Sequence, residues 1–239
     1  MKLILNPKIL LLTCFLFVFP NLAGQNNPLL TNDVEEQSRW VDSVYNSMSL
    51  KEKVGQLFMI SVSSESRKTY IEQAKKQIAE EYIGGIIFSK GGPLRQAKLT
   101  NEFQEISKTP LLIGMDAEWG LAMRLDSTFA LPWNMTLGAI QDNKLIADAG
   151  AAISRNTKRL GVHINFAPVV DINTNPDNPI IGNRSFGENK INVAEKSLAF
   201  MRGMHREGVL SSAKHFPGHG DTDADSHKTL PTIQIGRAH

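Results

Sequence analysis

From Lys214 to His227 the chain reads KHFPGHGDTDADSH, which sets three histidines, three aspartates and a lysine in fourteen positions. Acids and imidazoles at this density can hold a metal, relay a proton, or simply keep a loop in water. In an extended segment alternate residues point the same way, so Asp221, Asp223, Asp225 and His227 are expected to line one edge. A calcium loop starting at Asp221 needs glycine at its sixth position and a bidentate acid at its twelfth, where Ser226 and Thr232 stand. A zinc-binding helix needs two histidines one turn apart, whereas His215 and His219 flank Phe-Pro-Gly, which no helix interior accepts. Metal ligation is the weaker reading, and no metal or other cofactor is expected. Proton transfer suits the segment better: a histidine bonded to a nearby carboxylate has its tautomer fixed and its conjugate acid stabilised. Asp225 and His227 have the spacing for such a pair. Pro217, Gly218 and Gly220 place it on a loop able to close over a substrate.

The elements that must carry this loop alternate along the chain. Apolar runs suited to buried parallel strands occur at residues 55–61, 84–89, 111–116, 162–171 and 209–215. Helical periodicity fills residues 38–53, with a break near Ser49, and then 67–82, 94–106, 143–160 and 193–207. Asp142 and Asn192 stand where N-caps belong, Asn192 with Glu195 three residues on as in a capping box, and Gly161 and Gly208 follow as stops. Such a βα chain forms either a doubly wound sheet or a barrel. No glycine-rich phosphate turn follows the first strand, and ionisable groups end three of the runs, at Asp116, Asp171 and Lys214-His215. Chemistry gathered at the carboxyl ends of several strands indicates an α/β fold of the (β/α)8 TIM-barrel type. The barrel is expected to be incomplete, with about its first five to six βα units.

Residues 1–24 stand apart. Lys2 and Lys8 precede an apolar run from Ile9 to Phe19, which Pro20 breaks ahead of Ala23-Gly24, as in a cleaved secretory signal. The run is shorter than the roughly 20 residues a membrane span needs, so export to the periplasm or beyond, with no retained membrane span, is expected. Of 26 Lys and Arg residues against 24 Asp and Glu, only those two lysines leave with the leader, and the remaining chain is neutral. That balance, with no basic run or aromatic-basic stripe, excludes nucleic acid as the expected partner. Cys14, the single cysteine, leaves too, so neither disulfide nor thiolate chemistry is expected.

KHFPGHG, followed by DSH and Leu230-Pro231, resembles the signature of glycoside hydrolase family 3, in its bacterial β-N-acetylglucosaminidase branch. MSLKEKVGQLFM (Met48–Met59) resembles the family's opening, GMDAEWGLAMRL (Gly114–Leu125) its first substrate-binding segment, and NFAPVVDINTNPDNPIIGNRSFGEN (Asn165–Asn189) its long central loop. The resemblance implies retaining hydrolysis of a terminal β-linked N-acetylglucosamine through a covalent glycosyl-enzyme, on a carbohydrate substrate. It assigns His227 as general acid/base, Asp225 as its orienting partner, and Asp116, Arg124, Arg184, Lys214 and His215 as substrate-binding residues. Asp171, His163, His219, Asp221 and Asp223 are read as structural, His163 as a core imidazole. Trp119 stands where simpler relatives have glycine, and is either a stacking wall for a sugar ring or core packing.

The nucleophilic aspartate implied by the resemblance follows a later strand, and no aspartate follows Asp225. A full barrel takes about 250 residues. Residues 25–239 are therefore expected to be the N-terminal part of a catalytic barrel, inactive and poorly folded alone, and IQIGRAH (Ile233–His239) fits nothing expected after Leu230-Pro231. The competing readings are a metal-dependent hydrolase using the His/Asp cluster, and a sugar-binding fragment without catalysis.

Overall fold

The computed structural model describes residues 31–233; the expected leader at 1–24 and the ending from Gln234 lie outside them. Strands β1 (Met59–Ser63), β2 (Gly85–Lys90), β3 (Leu112–Met115), β4 (Ile164–Asn165) and β5 (Leu210–Ser211) form one parallel sheet in that order. Every strand lies beside its neighbour in the chain. A doubly wound sheet would reverse its order at a switch point, whereas a sheet that advances one strand at a time follows a barrel. The described residues thus form an incomplete TIM-barrel-type α/β domain, with β1 and β5 as its edges.

The helices are α1 (Val34–Ser47), α2 (Leu50–Gly55), α3 (Lys68–Glu81), α4 (Pro93–Ile106), α5 (Asn134–Gly138), α6 (Asn143–Lys158) and α7 (Lys190–Arg206). The break near Ser49 is a new helix start. The Ser49 hydroxyl accepts from Glu52 N at 3.3 Å, and the Glu52 carboxylate accepts from Ser49 N at 2.6 Å. This reciprocal cap satisfies two otherwise orphaned donors. It also keeps residues 50–55 helical, so β1 begins at Met59 and not at residue 55 as the apolar run suggested.

Asp142 caps α6 through Lys144 N. The start of α7 differs from the expected one: Asn189 is the cap, accepting from Ile191 N and Asn192 N. Asn192 lies inside the helix, and its amide instead donates to the Gly138 carbonyl at 3.1 Å. The periodic apolar pattern begins only at Val193, which is why the boundary looked later. Gly161 and Gly208 end their helices at φ of +75° and +81°, where a Cβ is disfavoured.

Between sheet and helices lies one core, in which Ile86, Phe88, Ile113 and Met115 from the strands meet Phe103, Ile146, Phe200 and Met204 from the helices, all fully covered. Helices α6 and α7 approach through two glycines. A Cβ on Gly203 would stand 1.9 Å from the Ala147 carbonyl oxygen, and one on Gly150 2.3 Å from that of Phe200. Both obstacles are backbone and cannot rotate away. Gly203→Ala and Gly150→Ala are each expected to cost about 1–3 kcal/mol, the scale of overpacking a filled core. Urea denaturation measures this; a stabilising Gly203→Ala would contradict the close approach.

The β1 edge is apolar. Leu50, Leu57 and Phe58 are exposed, beside a cleft of about 640 Å³ lined by Leu50, Val54, Phe58, Ile60 and Ile83. None of the expected site residues lines it.

Candidate functional site

The long fourth apolar run, 162–171, pairs as a strand only at Ile164–Asn165. There the buried Asn165 side chain clamps the loop that follows β3: its Oδ1 accepts from Ala117 N at 2.9 Å and its Nδ2 donates to the Ala117 carbonyl at 3.2 Å. Pro168 has no N–H to give. Its carbonyl still accepts from Lys214 N at 3.1 Å, and Val170 N donates to the Lys214 carbonyl at 2.6 Å. The chain leaving β4 thus runs beside the chain leaving β5. Asp116 follows the last residue of β3 directly, so Asp116, Asp171 and Lys214-His215 meet at the carboxyl end of the sheet, where barrels carry their chemistry.

Five charged side chains form one network. Lys214 Nζ lies 2.8 Å from Asp116 Oδ1 and 2.7 Å from Glu118 Oε1. Arg124 Nη2 donates to Asp116 Oδ2 at 2.7 Å. Arg184 grips Glu118 with both arms of its fork, Nε to Oε2 at 3.0 Å and Nη2 to Oε1 at 2.8 Å. Burial pushes both carboxyls up, but the hydrogen bonds and charges of Lys214 and Arg124 outweigh it at Asp116, and those of Arg184 and Lys214 do so at Glu118. Both end below the ordinary carboxylate range. They stay ionised because their cations are closer than the apolar medium is costly.

Asp116, Arg124, Arg184 and Lys214 are therefore brought together. Glu118, at 0% exposure, is the member missed in the sequence. Its signal was available: an acid between alanine and tryptophan just beyond an apolar strand must be desolvated, and a desolvated acid needs cations.

Asp171 organises the other flank. It is buried, its Oδ2 bonded to His215 Nδ1 at 2.6 Å and its Oδ1 accepting from His219 N at 2.6 Å. His215, partly exposed, is thereby oriented with Nδ1 engaged and Nε2 left to the site. His219 is buried and pairs with Thr222 Oγ1, while Asn178 Nδ2 donates to the His219 carbonyl at 2.7 Å and binds the long central loop to this one. Asp171 and His219 tie this flank together, and Asp171 also orients the His215 ring. His163 departs from its expected core place. It is exposed, and its Nδ1 accepts from Ile113 N at 3.0 Å.

Asp225 and His227 do pair, by a different geometry from the one expected. The segment is turned, not extended: Asp225 Oδ1 accepts from the backbone N–H of His227 at 2.9 Å and meets its Nδ1 at 2.8 Å. Lys228 N and Thr229 N close the turn on the Asp225 carbonyl. Alternation along one edge is lost, and Asp221 and Asp223 face water. The backbone N–H of His227 and then its ring hold the Asp225 carboxyl below its usual value. The His227 side chain is 74% exposed, and the pair makes no hydrogen bond to the Asp116 network among the described residues. Among those residues no three His, Cys, Asp or Glu side chains cluster so as to hold a metal ion.

The sequence profile described as the Glycosyl hydrolase family 3 N terminal domain matches residues 49–239. A beta-hexosaminidase A of Pseudoalteromonas piscicida is 39% identical over 166 residues, covering 64% of this chain and 28% of the relative. A beta-hexosaminidase of Neisseria meningitidis is 34% identical over 171 residues, 67% of this chain and 47% of the relative. Among solved structures, the family 3 beta-N-acetylglucosaminidase of a Paenibacillus species superposes with a TM-score of 0.71 at 42% identity, over 78% of this chain and 36% of that one. The chain spans between about a quarter and a half of the length of these relatives. The sheet order agrees with the matched profile, which covers most of the chain, and the chain belongs to glycoside hydrolase family 3.

Proposed function

We propose that this chain supplies the sugar-gripping residues and the acid/base of a retaining β-N-acetylhexosaminidase that releases terminal β-linked N-acetylglucosamine from glycans or peptidoglycan fragments. The observation that carries the reading is the Arg124–Asp116–Lys214–Glu118–Arg184 network at the carboxyl end of the sheet. The names of the beta-hexosaminidase relatives support the substrate class. An ionised carboxylate has about four lone-pair directions. Asp116 gives one from each oxygen to Arg124 and Lys214, which leaves acceptors for two sugar hydroxyls already aimed by the pair of cations. Lys214, His215, Arg124 and Arg184 then serve as donors to hydroxyl and acetamido oxygens.

His227 gives a proton to the glycosidic oxygen as the bond to the anomeric carbon breaks and a carboxylate attacks from the opposite face. It then takes a proton from the water that releases the sugar, returning the enzyme to its starting state. The attacking carboxylate is assigned to no residue of this chain. The apolar leader supports export to the periplasm or beyond.

The test is Asp116→Asn in the active enzyme, on 4-nitrophenyl β-N-acetylglucosaminide. Loss of charge-assisted bonds, each about 1.5–3 kcal/mol, is expected to lower kcat/KM by on the order of 100-fold. Unchanged kcat/KM, or no release of N-acetylglucosamine by the parent protein, would reject the assignment.

A further inference from the structure

The turn that carries Asp225 and His227 is exposed, but its root is not. Thr222, at 3% exposure, is the last buried residue before it, and no residue from Asp223 to Leu230 is buried. The place where Thr222 is held therefore sets where the His227 turn starts.

One side chain on the long central loop does most of the holding. Asn178 is buried, and its Nδ2 donates to the His219 carbonyl at 2.7 Å and to the Thr222 carbonyl at 3.0 Å. Its Oδ1 accepts from Ile180 N at 2.9 Å and from Ile181 N at 2.8 Å. Both amide hydrogens meet carbonyls and both lone pairs of the oxygen meet N–H groups, so the carboxamide is saturated and fits one way round. Its oxygen faces the backbone that holds Arg184: the Ile180 carbonyl accepts from Arg184 Nη1 at 3.0 Å, and the Ile181 carbonyl from Arg184 N at 2.9 Å. Asn175 adds a second amide to the Thr222 carbonyl at 3.0 Å, but its Oδ1 turns to Asp177 N. A Cβ on Gly220 would stand 1.9 Å from the Ile172 carbonyl oxygen, so the two loops meet backbone to backbone.

We infer that Asn178 is a positioning residue for proton transfer, fixing the root of the His227 turn to the backbone that holds Arg184. The inference rests on the reading of His227 as acid/base and of the charged network as the seat of the terminal sugar. A proton passes over no more than a hydrogen-bond length, so an imidazole that starts from a displaced root delivers it poorly. Sugar and imidazole are held on different loops, and the distance between them has to be set by something bonded to both. Asn178 is bonded to both, through His219 and Thr222 on one side and Ile180 and Ile181 on the other.

The experiment is a double-mutant cycle in the active enzyme, with Asn178→Asp and His227→Ala made singly and together and assayed on the β-1,4-linked disaccharide of N-acetylglucosamine. The aspartate keeps an acceptor for Ile180 N and Ile181 N, and offers at most one proton where the amide offers two. Asn178→Asp is expected to lower kcat/KM by about 10- to 100-fold, the scale of a misplaced reacting group. Its first turnover of an aryl glycoside whose leaving group needs no proton should match the parent. In the His227→Ala background the same change should cost less than about 2-fold, because the group it aims is gone. Equal losses in the two backgrounds, parent kcat/KM in Asn178→Asp, or a slowed first turnover would each overturn the inference. If melting curves show that Asn178→Asp does not fold, Asn175→Asp removes one donor from the same Thr222 carbonyl at a half-buried position, and the cycle decides on an expected loss of about 3-fold. Parent-rate turnover of the disaccharide by His227→Ala would fell the acid/base reading and this inference with it. A collapse in His227→Ala without coupling to residue 178 would fell this inference alone.

Discussion

Replacing His227 with alanine in the active enzyme is expected to lower kcat/KM on an unactivated N-acetylglucosaminide by about 10²–10⁴-fold, the range contributed by a positioned acid/base. An aryl glycoside whose leaving group departs without protonation should still form the glycosyl-enzyme. Hydrolysis of that intermediate should be slowed, because the same imidazole is needed to activate water. A burst of aryl alcohol followed by a slow steady state is the measurable signature. Turnover of the unactivated substrate at the parent rate would remove His227 from the mechanism.

The electrostatic case for an imidazole follows from what surrounds it. Retaining enzymes usually place two carboxyl groups about 5–5.5 Å apart, where a deprotonated acid/base repels the attacking carboxylate. Imidazole alternates between cation and neutral and never adds a negative charge. Asp225 restores a negative charge to the pair, but spends it on His227: one oxygen takes both the backbone N–H and Nδ1 of that residue. Nδ1 is thereby the anchored nitrogen, and in the proposed mechanism Nε2 is the one that meets substrate. Asp171 treats His215 in the same manner, through Nδ1 at 2.6 Å and the backbone N–H at 3.3 Å. The protein uses one device twice. The carboxylate at His215 is buried, and His215 directly follows Lys214 of the charged network; the pair at His227 lies on an exposed turn.

Much of this was legible along the chain. Strands β2 and β3 and helices α3, α4 and α6 begin and end within about two residues of their periodic patterns, because each pattern is set by burial against one core. Strand β4 was not, since an apolar run cannot reveal that the Asn165 side chain will clamp Ala117, or that Val169 will meet Lys214 as a single bridge. Asp116, Arg124, Arg184 and Lys214 were found as separate residues up to 98 positions apart, but what joins them was missed. Glu118 is an ordinary acid in sequence. Only the fold shows that Arg184, from a loop 66 residues away, closes on it.

Glu118→Ala is expected to be the most damaging single change to stability in the described fold. Its carboxylate is wholly covered, and it compensates two cations that are themselves largely buried, Arg184 and Lys214. Removing one member of a buried pair leaves an unpaired charge out of water and costs about 3–5 kcal/mol. For a domain of this size that is a fall in melting temperature of about 6–20 °C. Glu118→Gln keeps the volume and one acceptor for Arg184, and should lose less. The pH dependence separates this from simple loss of packing. Asp116 and Glu118 titrate below the ordinary carboxylate range in the folded chain. Their stabilisation is therefore complete above the unfolded values, near pH 4, and is lost as pH falls through the lower folded values. At that end Arg124, Lys214 and Arg184 face one another with no carboxylate between them. The parent should lose stability steeply below about pH 4, and Glu118→Ala, already without one of the two acids, should lose less over the same interval. Urea denaturation at neutral pH and at about pH 3 measures both slopes. Parent-like stability of Glu118→Ala at neutral pH would mean that the five charges are neighbours without being a network.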